Sequence, residues 1–458
     1  MAVISLSGFL TGFDYTALTI AIPKLGQEFQ STYSITSWVL LAYALIFASF
    51  AMPAGNLIRI FGGRKLLMAG FLIYAVSSVC CTLAPGILSL ALFRALQAIG
   101  GVILFVSGPA LVRLHMGEDA RGLGYGIAAL APTIGIFSGP ALGALILSEL
   151  SWRWIFVVNL PVCLVGISIV ALMSPLRASN VGKKQFDIPG SLMLLSGLGL
   201  LVFALNRGTE LGWASHYILI AFAISAINLV VFAVWELRSA RAAFELRLLK
   251  VAVFRNGAFA IFLYLFLYGG LSFSFPIFLN QIKDVDIATV GWIMSVQPMT
   301  ILATTFGVGT IAAVLSSGWR AGIGVALIVA SMALALQDHR ATGLWLVSLV
   351  LFALGLAQTL FLPAMLERSL EPIKQERAAQ ATGVLTTLRT MGQLFGVVVF
   401  ETILSSRVGA DNTQVTPTHG DHLSFLSLFW LAMLVALLAG VCVLAQNVGR
   451  PKSLSPEL

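Results

Sequence analysis

Charged side chains are scarce in this chain. Asp, Glu, Lys and Arg make up 10% of its 458 residues, whereas 59% are hydrophobic. This composition excludes a water-soluble domain, whose surface needs far more charge. The mean hydropathy is +0.96, and apolar runs of about 20 residues, the length that crosses a bilayer as a helix, fill most of the chain. The sequence therefore predicts an integral, all-α membrane protein.

Cysteine and histidine are also few, with four and five residues. All four cysteines lie in apolar segments and are expected to be small buried residues, with no disulfide or metal site. His419, Asp421 and His422 are spaced so that they could hold a metal. No third class of ligand accompanies them, so we expect a solvated loop there and no metal.

Several signatures of other functions are missing. We find neither a phosphate-binding loop with its lysine nor a nucleophile paired with a base, so we expect no ATP use, no cofactor and no enzyme. No basic segment with a cleavage site precedes the first apolar run, which predicts no cleaved signal peptide. The net charge of +8 does not indicate nucleic-acid binding, because Lys and Arg concentrate in loops, where membrane topology explains them.

Hydropathy predicts fourteen membrane spans with short loops between them. Lys and Arg are distributed very unevenly over these loops: one alternate set, with the C-terminal tail, has nineteen and the other has six. The positive-inside rule then places both termini in the cytoplasm and makes this a multi-pass protein of the cell (inner) membrane. The predicted spans are 4–23, 34–53, 66–84, 87–112, 122–147, 153–173, 189–205, 216–235, 256–278, 288–315, 319–336, 342–365, 378–404 and 423–445.

The two longest cytoplasmic loops, 174–188 and 236–255, divide the chain into a six-two-six arrangement. We expect the protein to act as a monomer in the lipid bilayer. The predicted units are an N-terminal six-helix bundle (1–173), cytoplasmic loops with two linking helices (174–255), a C-terminal six-helix bundle (256–446) and a cytoplasmic tail (447–458).

A stripe of glycine marks the fifth span. Gly135, Gly139 and Gly143 recur every four residues, so they share one face of the helix and let a second helix approach closely. Pro140 lies in the stripe and removes the hydrogen bond to the carbonyl of Ile136, which predicts a bend. These features indicate a hinge, and the alternative is ordinary tight packing.

The same glycine separations recur in the thirteenth span. Gly383, Gly392 and Gly396 repeat the spacing of three glycines in the fifth span (Gly126, Gly135, Gly139). Similar helices in corresponding places of two halves are expected in a transporter built from repeated bundles. Chance similarity between apolar, glycine-rich helices is the alternative.

Four sequence fragments occur in order in the expected spans. They are FDYT at 13–16 followed by Ile22-Pro23, FRALQAIGG at 93–101, GIFSGPALG at 135–143, and WRWIF at 152–156 leading to Asn159-Leu-Pro161. Together they resemble the major facilitator superfamily and, within it, the fourteen-helix drug:proton antiporters. The resemblance covers essentially the whole chain. It implies the major facilitator fold, in which two six-helix bundles rock about a midplane cavity.

Acidic residues are rare inside the spans. Asp14 lies mid-span in the first, where a charge is costly unless it is paired or faces water. An embedded carboxyl can bind and release a proton, so Asp14 is a predicted proton or cation site. The alternative is a structural hydrogen bond between helices. Glu149 and Glu401 are predicted to lie near outer helix ends, within reach of solvent.

Arg94 lies within the fourth span and needs a carboxylate, carbonyls or water, because arginine stays protonated. The family resemblance implies that Arg94 takes part in proton coupling, with Gln97 one turn further on. A pairing of Arg94 with Asp14 is our hypothesis. Arg389, in the thirteenth span, lies near the predicted cytoplasmic end, where its side chain can extend to the interface.

The loop after the second span resembles the cytoplasmic gating motif of the superfamily. Gly55 and Gly62 suit a tight turn, and Arg59 and Arg64 provide cations for helix ends and acids. The motif departs from the family pattern, since Arg59 and Ile60 stand where an aspartate followed by an arginine is usual. The usual acid-centred charge relay therefore cannot be assembled in the usual way.

Aromatic residues are the candidates for a substrate cavity. Tyr264 and Tyr268 share a face of the ninth span, and Trp38, Tyr43 and Gln297 are further candidates. Such a lining, with one acid nearby, suits lipophilic or cationic compounds. The alternative is that these aromatics face lipid or pack between helices.

The sequence therefore predicts proton-coupled efflux of lipophilic or cationic small molecules, in which Asp14 and Arg94 carry the coupling. One alternative is a dedicated exporter or facilitator of a single metabolite, without the need for proton coupling. Another is a membrane sensor or assembly partner that transports nothing. A charge at membrane depth argues against the last, because a scaffold gains nothing from it.

Overall fold

The structure is a computed structural model. It describes residues 1–54, 57, 61–115, 118–173, 187–239, 244–337, 343–374, 377–408 and 419–448. Within these ranges the regular structure is helical and contains no strand. Helices are the expected solution for apolar spans, because every backbone polar group is satisfied within its own segment.

Within the described ranges, fourteen helices are long and apolar enough to cross a membrane, which confirms the predicted number. Two of them are interrupted: α2 is Tyr33–Thr36 followed by Trp38–Ala54, and α6 is Arg153–Val157 followed by Asn159–Leu172. The others are α1 Ala2–Glu28, α3 Gly63–Thr82, α4 Ile87–His115, α5 Glu118–Glu149, α7 Ile188–Leu211, α8 His216–Arg238, α9 Ala252–Ile277, α10 Ile287–Val314, α11 Ser317–Ala335, α12 Leu344–Leu370, α13 Ala378–Val408 and α14 His419–Val448.

Several helices extend beyond their predicted ends, among them α1, α7 and α12, by five or six residues each, and two further extensions stand out. The last helix begins at His419 and not near 423, so the segment 419–422, predicted to be loop, forms the first turn of α14. The ninth helix continues beyond Ile277 as a π-helical turn, Phe278–Ile282. Hydropathy missed both extensions because polar residues at a helix end lower the average over the window.

The helices pack mainly within two groups. In the first half α1 packs against α5, α3 against α4 and α6, and α2 against α4. In the second half α9 packs against α13 and α14, and α12 against α10 and α11. The linking helices α7 and α8 pair with each other, and α7 also contacts α2 and α13.

The outward side of α8 is apolar. Tyr217, Ile227 and Val230 have 76%, 61% and 62% of their surfaces exposed. Large exposed apolar side chains along a helix are expected where the solvent is lipid. The linking pair therefore has one side toward lipid and, through α7, the other side toward both halves.

The halves meet at the side that carries residues 29–32, 150–152 and 283–286, which we call the predicted outer face. A Cβ added to Gly291 of α10 would lie 2.7 Å from the carbonyl oxygen of Pro140 on α5. Gln281 donates a hydrogen bond from Nε2 to the hydroxyl of Tyr33 on α2. These contacts bring helices of the two halves together at this face.

Candidate functional site

Asp14 and Arg94 form a buried ion pair between α1 and α4. Neither residue has exposed surface, and Arg94 Nη1 donates to Asp14 Oδ2. The pairing hypothesised from sequence is therefore present. Removal of two opposite charges from water is tolerated only where they satisfy each other and find further hydrogen bonds.

Those further bonds come from α2, from α6 and from Gln97 of α4 itself, which in turn bonds α3. Asn159 at the start of the longer part of α6 donates from Nδ2 to Asp14 Oδ1 at 3.2 Å. Arg94 Nε donates to the carbonyl oxygen of Val39 on α2 at 3.2 Å. Gln97 accepts from Arg94 Nη1 at 2.5 Å and donates to Ser78 Oγ on α3 at 2.8 Å. The pair is thus the centre of a network that joins α1, α2, α3, α4 and α6.

Tyr43 of α2 covers the guanidinium group. Arg94 Cζ lies 4.3 Å from the centroid of the Tyr43 ring, a distance at which the ring face attracts a cation. Two polar atoms of the network, Arg94 Nη2 and Asn159 Oδ1, have no hydrogen-bond partner among the described residues. The network therefore keeps one donor and one acceptor available for rearrangement.

The glycine stripe of α5 faces α1. A Cβ added to Gly135 would lie 2.7 Å from the backbone nitrogen of Phe13, and one added to Gly143 would lie 3.0 Å from Ala17 Cα. Gly12 on α1 is equally confined, since its added Cβ would lie 3.0 Å from Ile136 N. The close approach predicted from the stripe is present, and it puts the helix that bears Asp14 in backbone contact with α5. The hinge role stays a prediction.

The carbonyl that Pro140 leaves unpaired on α5 finds a partner on α1. Thr16 Oγ1 lies 3.2 Å from the carbonyl oxygen of Ile136 and 3.1 Å from that of Gly12 in its own helix. Its single proton is shared between these acceptors. A hydroxyl from a neighbouring helix is a usual way to satisfy a carbonyl freed by proline in a membrane.

The second half contains a corresponding contact between α13 and α9. Added Cβ atoms on Gly392 and Gly396 would lie 3.2 Å from Phe266 N and 2.9 Å from Gly270 N. A Cβ added to Gly269 of α9 would likewise lie 2.8 Å from the Cα of Gln393. The repeat predicted from spacing thus corresponds to two equivalent helix contacts.

The predicted substrate residues separate into two groups. Tyr264, Tyr268 and Gln297 line one small cavity of about 10 Å³, which admits a single water molecule. Trp38 lies elsewhere, because its indole nitrogen donates to Asn206 of α7 at 2.8 Å, and Tyr43 stacks on Arg94. Both polar aromatics find partners that sequence could not indicate, so only three of the five candidates share a cavity.

The gating loop is described in part, because Gly55 and Arg59 lie outside the described residues. Gly62 has φ of +80° and precedes α3, a conformation that favours glycine. Arg64 Nη2 donates to the carbonyl oxygen of Ala171 in the last turn of α6 at 2.6 Å. A cation at a helix C-terminus is favourable, and the gating role of this loop stays a prediction.

The two acids predicted near outer ends differ from each other. Glu149 is exposed, as expected, whereas Glu401 is fully buried and its Oε2 accepts from Nδ2 of Asn206 at 2.7 Å. Solvent access to Glu401 was therefore predicted wrongly, because α7 covers it. Sequence reasoning missed Asn206 because the predicted seventh span ends at 205, whereas the helix continues to Leu211.

No metal site is formed by the described residues, since no three His, Cys, Asp or Glu side chains come together there. The side chains of His419, Asp421 and His422 lie outside what the structure describes. Arg389 is half-buried and forms no ion pair with a described residue. The fully buried acids among the described residues are Asp14 and Glu401.

Comparison with known proteins gives a consistent result. A model of the Major Facilitator Superfamily matches residues 4–397 and, in a second match, 257–457. Multidrug resistance protein Stp of Mycobacterium tuberculosis (strain CDC 1551 / Oshkosh) is 27% identical over 413 residues, or 88% of this chain and 75% of that protein. Riboflavin transporter RibZ of Clostridioides difficile (strain 630) is 24% identical over 453 residues, or 96% and 95%.

The fold also resembles solved transporter structures. One, from work on substrate recognition in proton dependent oligopeptide transporters, superposes with a TM-score of 0.69 at 17% identity and covers 98% of each chain. At this identity the likeness concerns the fold alone. With the family model matching nearly the whole length, the chain belongs to the Major Facilitator Superfamily and is a multi-pass membrane transporter of small molecules, not an enzyme.

Proposed function

We propose that this transporter expels lipophilic or cationic small molecules in exchange for protons, by alternating access. The observation that supports this most strongly is the fully buried pair of Asp14 and Arg94. Protonation of Asp14 would remove its charge and weaken its hold on Arg94, so this pair would link a proton to the packing of α1 against α4. The name of the relative Stp supports the drug-like substrate class.

The packing suggests how a proton on Asp14 would affect the cavity. Release of Arg94 would let α1 move relative to α4. Since Gly12 and Gly135 place α1 and α5 in backbone contact, α5 would move with it. In turn α5 contacts α10 of the other half at Gly291. Proton binding would thereby bias the contact between the halves.

We assign residues 1–173 and 256–446 to two rocking bundles, with 174–255 as linking segment and 447–458 as tail. The excess of Lys and Arg in one set of loops supports cytoplasmic termini in the cell membrane. The closed contacts at the predicted outer face then correspond to a conformation with the outer side shut. A reporter enzyme that is active only in the periplasm should give no signal when it is fused after Leu458. A signal would contradict this orientation.

The decisive experiment is transport in everted membrane vesicles with an imposed pH gradient. Wild type should move a cationic dye only when the gradient is present. Asp14→Asn should abolish gradient-driven transport while dye binding persists. Glu28→Gln is the matched control, because Glu28 is a surface acid of the same helix, paired with Arg153 at 2.8 Å, and it should transport normally. Transport by Asp14→Asn at the wild-type rate would contradict the coupling role.

A second candidate is a transporter dedicated to one metabolite. Riboflavin transporter RibZ matches 96% of the chain, and Tyr264, Tyr268 and Gln297 place aromatic faces beside an amide. These groups would contact a polar aromatic compound in a conformation that widens the cavity, which in this conformation admits only water. A panel of dyes alongside riboflavin distinguishes the two. Gradient-driven flux of dyes supports the first proposal, and flux of riboflavin alone supports the second.

A further inference from the structure

A second buried acid lies where the linking helix meets both halves of the chain. Glu401 of α13 has no exposed surface. Asn206 Nδ2 of α7 donates to its Oε2 at 2.7 Å, while its Oε1 has no hydrogen-bond partner among the described residues. A buried oxygen without a donor is costly when it carries charge.

The amide of Asn206 is fully used. Its Oδ1 accepts from Trp38 Nε1 at 2.8 Å and from Ser34 Oγ at 3.2 Å. Its Nδ2 donates to Ser37 Oγ at 3.1 Å as well as to Glu401. Because an amide offers two donors and two acceptor positions, this side chain ties α7 to α2 and α13 at once. We call Glu401, Asn206, Ser34, Ser37 and Trp38 the outer clasp.

No cation among the described side chains pairs with Glu401. Arg207, on α7 beside the clasp, is paired with Glu210 at 2.6 Å, and Glu210 also accepts from Thr32 at 2.8 Å. The described groups of α2 in the clasp are two hydroxyls and an indole, none of which is charged. On its own helix the neighbour is Ser405, whose hydroxyl bonds the Glu401 backbone carbonyl at 2.9 Å. An ionised carboxylate would have one neutral donor here, whereas a neutral acid fits without a counter-charge.

We propose that Glu401 is a second proton-binding site, protonated whenever the outer clasp is closed, and that α7 makes closure of the predicted outer face depend on proton uptake. When the clasp opens, α13 separates from α2 and water reaches the acid, which then ionises. It cannot be buried again until it binds a proton from the outer solution. The opening cycle rests on the proposed transport function, but the protonation state of Glu401 does not.

The protonation state is tested by infrared spectroscopy of the purified, full-length protein near neutral pH. We expect a carbonyl band of a protonated carboxylic acid that disappears in Glu401→Gln. Glu149→Gln is the matched control, because it removes an exposed acid at the same face and should leave the band unchanged. The proposal is overturned if Glu401→Gln removes a carboxylate band and leaves the protonated-acid band unchanged.

The link to closure is tested by distance measurement between spin labels at two exposed positions, Gln27 on α1 and Ser406 on α13. In wild type the long-distance population should grow as the pH rises. Glu401→Gln, which mimics the neutral acid, should keep the short distance at every pH, and Asn206→Leu should favour the long one. Wild-type pH dependence in Glu401→Gln, or a short distance in Asn206→Leu, contradicts the proposal.

Asp14→Asn separates this inference from the proposed function. If the Asp14 mechanism is wrong but the clasp is right, Asp14→Asn transports normally while the Glu401 band and the pH-dependent distance are unchanged. If the clasp is wrong, the band is absent whatever happens to transport.

Discussion

In both halves of the chain a glycine-bearing helix packs backbone to backbone on the first helix of that half: α5 on α1, and α13 on α9. Gly139 and Gly396 are equivalent positions in the two contacts. An added Cβ would lie 2.9 Å from Ala17 N in the first and 2.9 Å from Gly270 N in the second. The close contact between these two helices is therefore duplicated in the two halves.

The polar chemistry is not duplicated. The first half has a buried ion pair, Asp14 with Arg94. The second half has an uncharged cavity lined by Tyr264, Tyr268 and Gln297, with Gln297 Nε2 3.5 Å from Gln358 Oε1. Two similar frames thus contain different groups, which suits a division of labour between ion coupling and substrate contact.

The predicted bend beside the glycine stripe belongs to one half only. Pro140 follows Gly139, whereas Val397 follows Gly396. Proline frees one carbonyl and valine frees none. The comparison therefore places the fully buried Asp14–Arg94 pair and the proline beside the glycine stripe in the first half, and the predictions below test whether each difference matters.

The largest effect is expected from breaking the ion pair on one side. Arg94→Gln leaves Asp14 buried without a cation and should lower the free energy of unfolding by about 3–5 kcal/mol. The double variant Asp14→Asn with Arg94→Gln should recover much of that loss, because no charge remains buried. Unfolding in detergent, followed by circular dichroism, measures both.

The control is the surface pair of Arg153 and Glu28, whose side chains are 37% and 39% exposed. Arg153→Gln should cost no more than about 1 kcal/mol. A double variant of the buried pair that is less stable than both singles would show that the charges themselves stabilise the first half.

The next largest effect tests the duplicated contact. Gly139→Val and Gly396→Val each force a side chain into a neighbouring backbone and should lower stability by about 1–3 kcal/mol or more. Similar losses are expected in the two halves. Gly322→Ala is the control, since an added Cβ there meets nothing within 4 Å, and it should stabilise the helix slightly. Loss in only one of the two valine variants would contradict the equivalence.

Much of this comparison was visible in the sequence. Glycine spacing predicted both close contacts, and the cost of charge at membrane depth singled out Asp14 and Arg94, because these signals depend on one helix at a time. The number of helices followed from hydropathy for the same reason. The helix ends near Ile277 and His419 were predicted less accurately, because polar residues continue those helices.

The rest depended on contacts between distant segments. Nothing in the sequence places Asn206 against Glu401, 195 residues later, or Asn159 against Asp14. Trp38 and Tyr43 look like cavity residues by type, but their partners are Asn206 and Arg94. Polar side chains inside membrane spans need hydrogen-bond partners. The sequence shows which residues need a partner, but it does not show which residue the partner is.

A smaller effect is expected from the bend. Thr16→Val removes the hydroxyl shared with the Ile136 carbonyl and should cost about 1 kcal/mol. Thr19→Val is the matched control, because the Thr19 hydroxyl bonds only Thr16 O of its own helix, at 2.7 Å. Equal stability of the two variants in thermal unfolding would mean that the proline-freed carbonyl needs no partner from α1.

The smallest effect concerns the helix-end contacts of the two halves. Among the described residues, Arg64 bonds the Ala171 carbonyl alone, so Arg64→Gln should cost about 0.3–1 kcal/mol. In the second half Arg320 is buried and bonds both the Leu315 carbonyl at 3.2 Å and Glu367 at 2.6 Å, so Arg320→Gln should cost more. Lys65→Gln removes a charge from an exposed neighbour and controls for net charge in the same unfolding assay. If it matches Arg64→Gln, the loss comes from charge alone, and the Ala171 carbonyl contributes nothing.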